Sequence, residues 1–114
     1  MDEIRNIFKA LSDPNRIRIL KMLEIKPLCA CEISTALGIA ASTASAHLSI
    51  LKDSGLIADR RDGKWIEYSL NPSESITIRQ QLALLAGWMN DDPLVAQDRE
   101  RIGHVNREII CKTN

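Results

Sequence analysis

Apolar residues recur every three to four positions along most of the chain, the spacing of helices that bury one face. The first predicted helix covers residues 3–11. A second begins where Asp13 can cap it and Pro14 suits the first helical position, and it ends before Pro27. The residues that we expect these two helices to bury are Ile4, Ile7, Phe8, Leu11, Ile17, Leu20 and Leu23.

Two further helices follow in close succession. A short third helix is predicted from about Cys29 to Leu37, where Gly38 stops it, and a fourth from about Ala41 to Lys52. The start of the fourth helix is weakly marked, because Ala40 and Ala41 stand where a capping hydroxyl is usual. Two helices joined by so short a turn are typical of the helix-turn-helix unit.

Alternating apolar and polar residues then predict two strands, at about 56–61 and 64–70. The dipeptide Asp62-Gly63 between them is a strong signal for a two-residue hairpin, because both residue types tolerate a positive φ. On the second strand, Ile66, Tyr68 and Leu70 are expected to face the core.

Helical spacing returns after the hairpin. Asn71-Pro72-Ser73-Glu74 predicts the start of a fifth helix over about residues 73–90, and Asp91-Asp92-Pro93 separates it from a sixth over about 93–111. The chain is therefore predicted to be a single winged helix-turn-helix domain over residues 1–114, mostly α with a β-hairpin wing (α+β). Its last two helices carry the apolar residues Ile78, Leu82, Leu85, Met89, Val95, Ile102, Val105 and Ile109.

Composition excludes several classes of protein. No run approaches 18 consecutive apolar residues, and the first residues, Met1-Asp2-Glu3, are not those of a signal peptide, so we expect a cytoplasmic location and no membrane partner. Nucleophile elbows, phosphate-binding glycine loops and Cys-x-x-Cys motifs are absent from the sequence, which predicts no enzymatic activity. The net charge is zero, so affinity for DNA has to come from a local arrangement of groups.

Such an arrangement is present on the fourth helix and the hairpin. Small hydroxyls and an imidazole can bond phosphates and base edges in a major groove, while a basic hairpin grips the backbone or the minor groove. The alternative is a merely solvated polar face. The residues predicted to contact double-stranded DNA are Ser42, Thr43, Ser45, His47, Ser49, Lys52, Arg60, Arg61 and Lys64.

Cys29 and Cys31 form the second candidate site. In a reducing cytosol, two thiols one residue apart suggest metal binding or redox chemistry more than a structural disulfide, although two inert buried residues are an alternative. A helix start stabilises thiolates. Because positions i and i+2 of a helix point about 200° apart, we expect both sulfurs to bind one atom only if that turn unwinds. Cys111 is a candidate third ligand, and water, hydroxide or an external thiol are the alternatives for that position. Cys111 can equally be an ordinary cysteine near the end of the chain.

These motifs together resemble the ArsR/SmtB family of metal-responsive repressors and, within it, the arsenic-responsive branch. The resemblance implies a homodimer built on the first and fifth helices, which represses an arsenic or antimony resistance operon. It implies release from operator DNA when As(III) or Sb(III) binds the Cys29 and Cys31 thiolates, with no organic cofactor. The family usually has a basic residue where this chain has Ala46. The segments that carry the resemblance are Leu28–Ile33, Ser42–Leu48, Leu51–Leu56 and Asp62–Trp65.

Three other interpretations remain open. One is a repressor of the same fold that responds to thiol redox state or to another soft metal (cadmium, zinc or lead). Residues 74–89 contain no histidine and only one acid, Glu74, which disfavours the zinc site that relatives have on this helix. Another is a divalent site on one face of the last helix. The third is a module that binds other proteins. The residues of that divalent site would be Glu100, His104, Glu108 and Cys111.

Overall fold

The computed structural model describes residues 1–111, so the last three residues of the predicted domain lie outside the described part. Seven helices and three strands are present there. In chain order they are α1 (Asp2–Leu11), α2 (Pro14–Leu23), β1 (Leu28–Cys29), α3 (Ala30–Leu37), α4 (Ala41–Asp53), β2 (Ile57–Asp62), β3 (Trp65–Leu70), α5 (Ile76–Ala86), α6 (Pro93–Ile102) and α7 (Arg107–Ile110).

The helix-turn-helix unit is formed by α3 and α4. Gly38 ends α3 in the left-handed conformation, with a φ of 69°, and the two helices are bent by 115° at the break between them. This angle falls in the usual range for the motif. Asp13 caps α2 as predicted, whereas Ala40 gives α4 no side-chain cap.

The wing is a three-stranded antiparallel sheet in the order β1-β3-β2, which confirms the predicted winged helix-turn-helix fold. The sequence did not predict β1, whose two residues pair with Tyr68 and Glu67 of β3. The hairpin turn is also one residue later than predicted. Asp62 pairs with Trp65, which leaves Gly63 and Lys64 as the central residues, with a φ of 61° at Gly63.

The fifth and sixth predicted helices differ in their bounds from the helices of the structure, and the fifth ends at Ala86 rather than near residue 90. The fifth helix starts at Ile76 rather than near Ser73, because the Ser75 hydroxyl accepts the backbone N–H of Ile78 and so caps it. The predicted sixth helix is broken after Ile102, and Asn106 caps a separate α7. The four residues of the alternative divalent site therefore do not share one helical face. Glu100 lies on α6 and Glu108 on α7, both are exposed like His104, and Cys111 is buried.

The core is centred on α2, whose Ile19, Leu20 and Met22 are fully buried. We expected α1 to bury Ile4 and Phe8, but both side chains are exposed. On β3, Ile66 is exposed and the charged Glu67 is buried. Within residues 1–111 no single helix is long and apolar enough to cross a membrane, and only the bent pair α3–α4 reaches that length and composition together.

Candidate thiol site and nucleic-acid interface

The three cysteines meet at one point, although 82 residues separate the first from the last. Their Sγ atoms all lie within 4.8 Å of one another, and no other such group of potential metal ligands occurs in residues 1–111. The Cys29 Sγ lies 3.4 Å from the Cys31 Sγ and 3.8 Å from the Cys111 Sγ. Cys31 and Cys111 are joined as a disulfide, with Cα atoms 5.9 Å apart, and Cys29 is a free thiol.

The backbone at Cys29 explains how the first two sulfurs can converge. Cys29 belongs to β1 and is the N-cap residue of α3, with an extended conformation (φ −88°, ψ 164°), so only Cys31 lies inside the helix. The expectation that the first turn of α3 must unwind before both sulfurs face one atom is therefore wrong. In this structure the pair already converges while α3 keeps its first turn.

Glu32 fixes the Cys29 end of the site. Its Oε1 accepts the backbone N–H of Cys29 at 2.9 Å and the thiol of Cys29 at 3.1 Å. Burial raises the pKa of the Cys29 thiol above its ordinary value, and the hydrogen bond to Glu32 raises this pKa further. Cys29 is therefore held as a protonated, ordered thiol until something displaces its proton.

Arg107 completes the surroundings of the thiols and was missed by sequence reasoning. Its Nη2 lies 2.9 Å from the Glu32 Oε1, and its side chain is largely buried. Burial lowers the pKa of Arg107, but the Glu32 carboxylate and other negative groups outweigh this effect and raise the pKa. The i, i+4 spacing of Arg107 and Cys111 was a usable signal, because it puts both on one helical face.

A cavity of about 240 Å³ gives access to the thiol site. Cys29 and Cys31 form part of its wall. Cys31 is only half-buried, so a small solute can reach its side chain from outside, whereas Cys29 is buried. The remaining lining residues are Ala30, Lys64, Trp65, Ile66 and Tyr68, most of which belong to the wing.

The predicted DNA-contacting residues divide into two sets. On α4 the four small hydroxyl residues, Ser42, Thr43, Ser45 and Ser49, are exposed. His47 is not on that open face, as only 12% of its side chain is exposed. Its Nδ1 lies 3.1 Å from the Arg16 Nη1, and Arg16 in turn donates to the backbone carbonyls that end α1. His47 thus joins α4 to α2.

The cations of the second set are exposed, and most of them have a partner within the chain. The Lys52 Nζ lies 2.9 Å from an oxygen of Asp59, which raises the pKa of Lys52. The Arg60 Nη2 lies 2.7 Å from an oxygen of Glu67. The Lys64 Nζ lies 4.7 Å from the centre of the Trp65 ring. Arg61 is exposed at the same end of the hairpin. Contact with phosphates would have to compete with these internal pairs.

The fold and these surfaces define a winged helix-turn-helix protein, and comparison with known proteins gives its family. Residues 13–59 match the bacterial regulatory protein, arsR family. The arsenic resistance transcriptional regulator ArsR2 of Pseudomonas putida is 32% identical over 111 residues, 93% of this chain and 95% of that protein. This chain therefore belongs to the ArsR family and is a DNA-binding transcriptional regulator rather than an enzyme.

Other relatives are similar over shorter stretches. The arsenical resistance operon repressor of Escherichia coli is 43% identical over 58% of this chain, but only 57% of that repressor's own length is covered. A cadmium resistance regulatory protein CadC homologue from Staphylococcus aureus is 37% identical over 60% of this chain and 58% of its own length. The homodimeric winged helix-turn-helix DNA-binding domain Mb0332 of Mycobacterium bovis, solved by NMR, gives a TM-score of 0.64 at 32% identity, covering 75% and 76% of the two chains.

Proposed function

We propose that this chain is a homodimeric repressor that leaves its operator DNA when As(III) or Sb(III) binds the thiols of Cys29, Cys31 and Cys111. The observation that carries the proposal is the convergence of three sulfurs within 4.8 Å beside the helix-turn-helix unit. As(III) and Sb(III) are soft centres, for which sulfur is the preferred protein ligand. The arsenic-resistance regulators among the relatives support the same inducer class.

The chemistry is a ligand exchange in the reduced protein. Arsenite, As(OH)3, reacts with three thiols to form three As–S bonds, and each hydroxyl leaves as water with a thiol proton. No oxidation state changes. Ser34 occupies the position where some relatives of the family have a third cysteine, and its hydroxyl donates to the backbone carbonyl of Cys31. Cys111 supplies the third sulfur from the other end of the chain instead.

The DNA-binding half of the proposal uses α4 and the wing. The exposed hydroxyls of α4 enter the major groove of operator DNA, and the cations of the hairpin hold the backbone. Lys52 and Arg60 exchange their internal carboxylate partners for phosphates, so operator binding should weaken strongly with salt. His47 acts as a support of α4 rather than as a free base-reading group. A regulator of this kind works in the cytoplasm, as the sequence predicts.

Thiol oxidation is the second candidate signal, and the Cys31–Cys111 disulfide is the specific observation that favours it. Two thiols and one hydrogen peroxide give one disulfide and two waters, so the sulfurs are oxidised and the peroxide is reduced. This reaction joins the C-terminal segment to α3 just as a shared inducer atom would. Oxidation and inducer binding therefore differ in chemistry, but both link Cys31 to Cys111.

One titration separates these functions. The reduced protein on labelled DNA from upstream of its own gene is titrated with arsenite, antimonite, cadmium, zinc and hydrogen peroxide, and anisotropy reports release. We expect arsenite and antimonite to weaken binding by about 100-fold, a usual size for allosteric coupling. The variant Cys29→Ser/Cys31→Ser should bind the DNA normally but not respond.

The single variants sharpen the test. Cys111→Ser should retain DNA binding and respond only at higher arsenite concentration, since two sulfurs remain. Ser34→Ala, a neighbouring change that removes no sulfur, should behave as the wild-type chain does. Release by arsenite from the double variant would contradict the proposal. Release of the wild type by peroxide alone, or by cadmium alone, would replace the metalloid with that signal.

A further inference from the structure

Arg107 joins the thiol site to the wing. It is the first residue of α7, and its backbone carbonyl accepts the N–H of Cys111 at 3.0 Å, so it occupies the same turn as the third sulfur. Its Nη1 lies 3.1 Å from an oxygen of Asp62, and its Nη2 lies 3.3 Å from an oxygen of Glu67. With Glu32, this makes three carboxylates around one guanidinium whose side chain is 17% exposed.

The three carboxylates lie on three different elements: Glu32 on α3, Asp62 on β2 and Glu67 on β3. Glu32 holds the N–H and thiol of Cys29. Asp62 is the last residue of β2, beside the hairpin turn. Glu67 lies opposite Cys29 in the sheet and also accepts two hydrogen bonds from Arg60, one of the cations assigned to DNA. The Arg107 side chain therefore contacts Glu32 at the thiol site and both long strands of the wing, β2 and β3.

Arginine is suited to such a junction. Its planar guanidinium presents several N–H donors in fixed directions, so it can serve more than one carboxylate at once, and a lysine ammonium cannot reproduce that geometry. The Trp65 ring, 5.8 Å from the Arg107 Cζ, adds a contact to the same wing. Partial burial strengthens these charged contacts compared with those of exposed pairs.

We propose that Arg107 is a positioning residue that transmits inducer binding at the thiols to the wing; this inference rests on the function proposed above. An inducer atom bonded to Cys111, Cys29 and Cys31 fixes the α7 turn against α3. Arg107 is then held where it binds Asp62 and Glu67, and these two ion pairs keep the wing packed against the thiol site. Without that bond α7 can move away with Arg107, which frees the wing to adjust to the DNA backbone.

The test compares inducer binding with its effect on DNA. For each reduced variant, the dissociation constant for promoter DNA is measured with and without saturating arsenite, and the ratio of the two is the coupling. Arsenite binding itself is followed separately by the near-ultraviolet absorbance of As–S bonds. For Arg107→Gln we expect arsenite affinity within about threefold of wild type, but a coupling that falls from about 100-fold to below about tenfold.

Asp62→Asn tests the same link from the wing side with little risk to folding, because half of its side chain is exposed. It should also lower the coupling. Asp59→Asn makes the same charge change on the same hairpin, but its partner is Lys52 on α4, so its coupling should remain that of wild type. Arg99→Gln removes an arginine that pairs with Glu24 rather than with a carboxylate of the thiol site or the wing, so it is the matched control for Arg107→Gln.

The possible results separate the two proposals. If arsenite releases the wild type and both Arg107→Gln and Asp62→Asn keep the full coupling, the role of Arg107 is overturned while the sensor function stands. If Arg107→Gln does not fold, Asp62→Asn alone decides, against its Asp59→Asn control. If the wild type neither binds arsenite nor leaves the DNA, the proposed function fails, and the role of Arg107 fails with it.

Discussion

Several charged side chains in this chain are buried, and each is matched by groups of opposite charge or by backbone carbonyls. Lys21, at 1% exposed, donates to the carbonyl of Leu85 and pairs with Glu24. Asp98 is equally buried and receives two hydrogen bonds of 2.8 Å from Arg18, one from Nε and one from Nη2. The Lys21 contact joins α2 to α5, and the Arg18–Asp98 pair joins α2 to α6. Because a buried charge without a partner is costly, they also make the chain sensitive to the loss of either member.

Arg18→Met should therefore lower the free energy of unfolding by about 3 kcal/mol, because it leaves the Asp98 carboxylate buried without its partner. Urea denaturation at one fixed protein concentration measures this change. Arg5→Met removes an arginine from an exposed pair with Asp2, 3.9 Å apart, and should cost less than about 0.5 kcal/mol. The double variant Arg18→Met/Asp98→Leu should recover much of the loss. If Arg18→Met and Arg5→Met lowered the free energy of unfolding equally, the buried pair would contribute no more to stability than the exposed one.

Among the elements, the helix starts show which local signals decide the structure. Asp13 and Asp92 accept backbone N–H groups at the starts of α2 and α6, each followed by a proline at the first helical position. Ala40, by contrast, has an extended conformation (φ −63°, ψ 148°) at the start of α4, but its methyl side chain cannot accept a hydrogen bond from a backbone N–H. The helix that we assign to DNA therefore starts with N–H groups that no side chain caps, and its position depends on packing against α3.

Ala40→Ser should supply the missing cap and raise the free energy of unfolding by about 1 kcal/mol, since the backbone already has the conformation of a cap residue. Chemical denaturation of the variant beside wild type measures the gain. Ala41→Ser is the matched control, because its hydroxyl is introduced one position later, inside the helix, and it should give no gain. A gain from Ala41→Ser as large as that from Ala40→Ser would refute the capping explanation.

The same elements show how far the sequence could predict the structure. The helix-turn-helix and the hairpin followed from signals carried by single residues, such as Asp13, Gly38 and Gly63, whose effect is local. Strand β1 was missed because two residues cannot display an alternating pattern, and its existence depends on pairing with β3, some forty positions away. Because Cys29 was predicted to lie in a helix rather than in this strand, the Cys29 and Cys31 sulfurs were expected to point apart.

The thiol site was predictable only in part for a related reason. The spacing of Cys29 and Cys31 indicated a site, but whether Cys111 reaches it depends on the break after Ile102 and on α7 folding back. The burial of Glu67 was likewise hidden, because a charged residue is stable there only with Arg60 and Arg107 beside it. Contacts between distant segments decide both outcomes, and no local pattern encodes them.

At the scale of the whole molecule, the apolar residues left on the surface indicate where a second copy should bind. Ile4 and Phe8 lie four residues apart on α1 and are 41% and 67% exposed. On α5, Ile76 and Leu84 are 64% and 54% exposed. The Ser75 hydroxyl at the start of α5 donates to a carboxylate oxygen of Glu3 on α1 at 2.9 Å, so the two helices are adjacent there. These helices are the ones that the family resemblance assigns to dimerisation.

Phe8→Glu should therefore convert the proposed dimer to a monomer, because it places a charge where the partner's apolar surface would pack. Sedimentation velocity measures the change. DNA binding should weaken by at least about 100-fold, because a dimer reads two half-sites one helical turn apart and a monomer loses the second contact. Ile25→Glu makes the same kind of change at a residue that is 54% exposed but lies on neither helix, and it should leave both properties unchanged. If Phe8→Glu remained a dimer with full DNA affinity, the interface would have to lie elsewhere on the molecule, and the exposed residues of α1 would need another explanation.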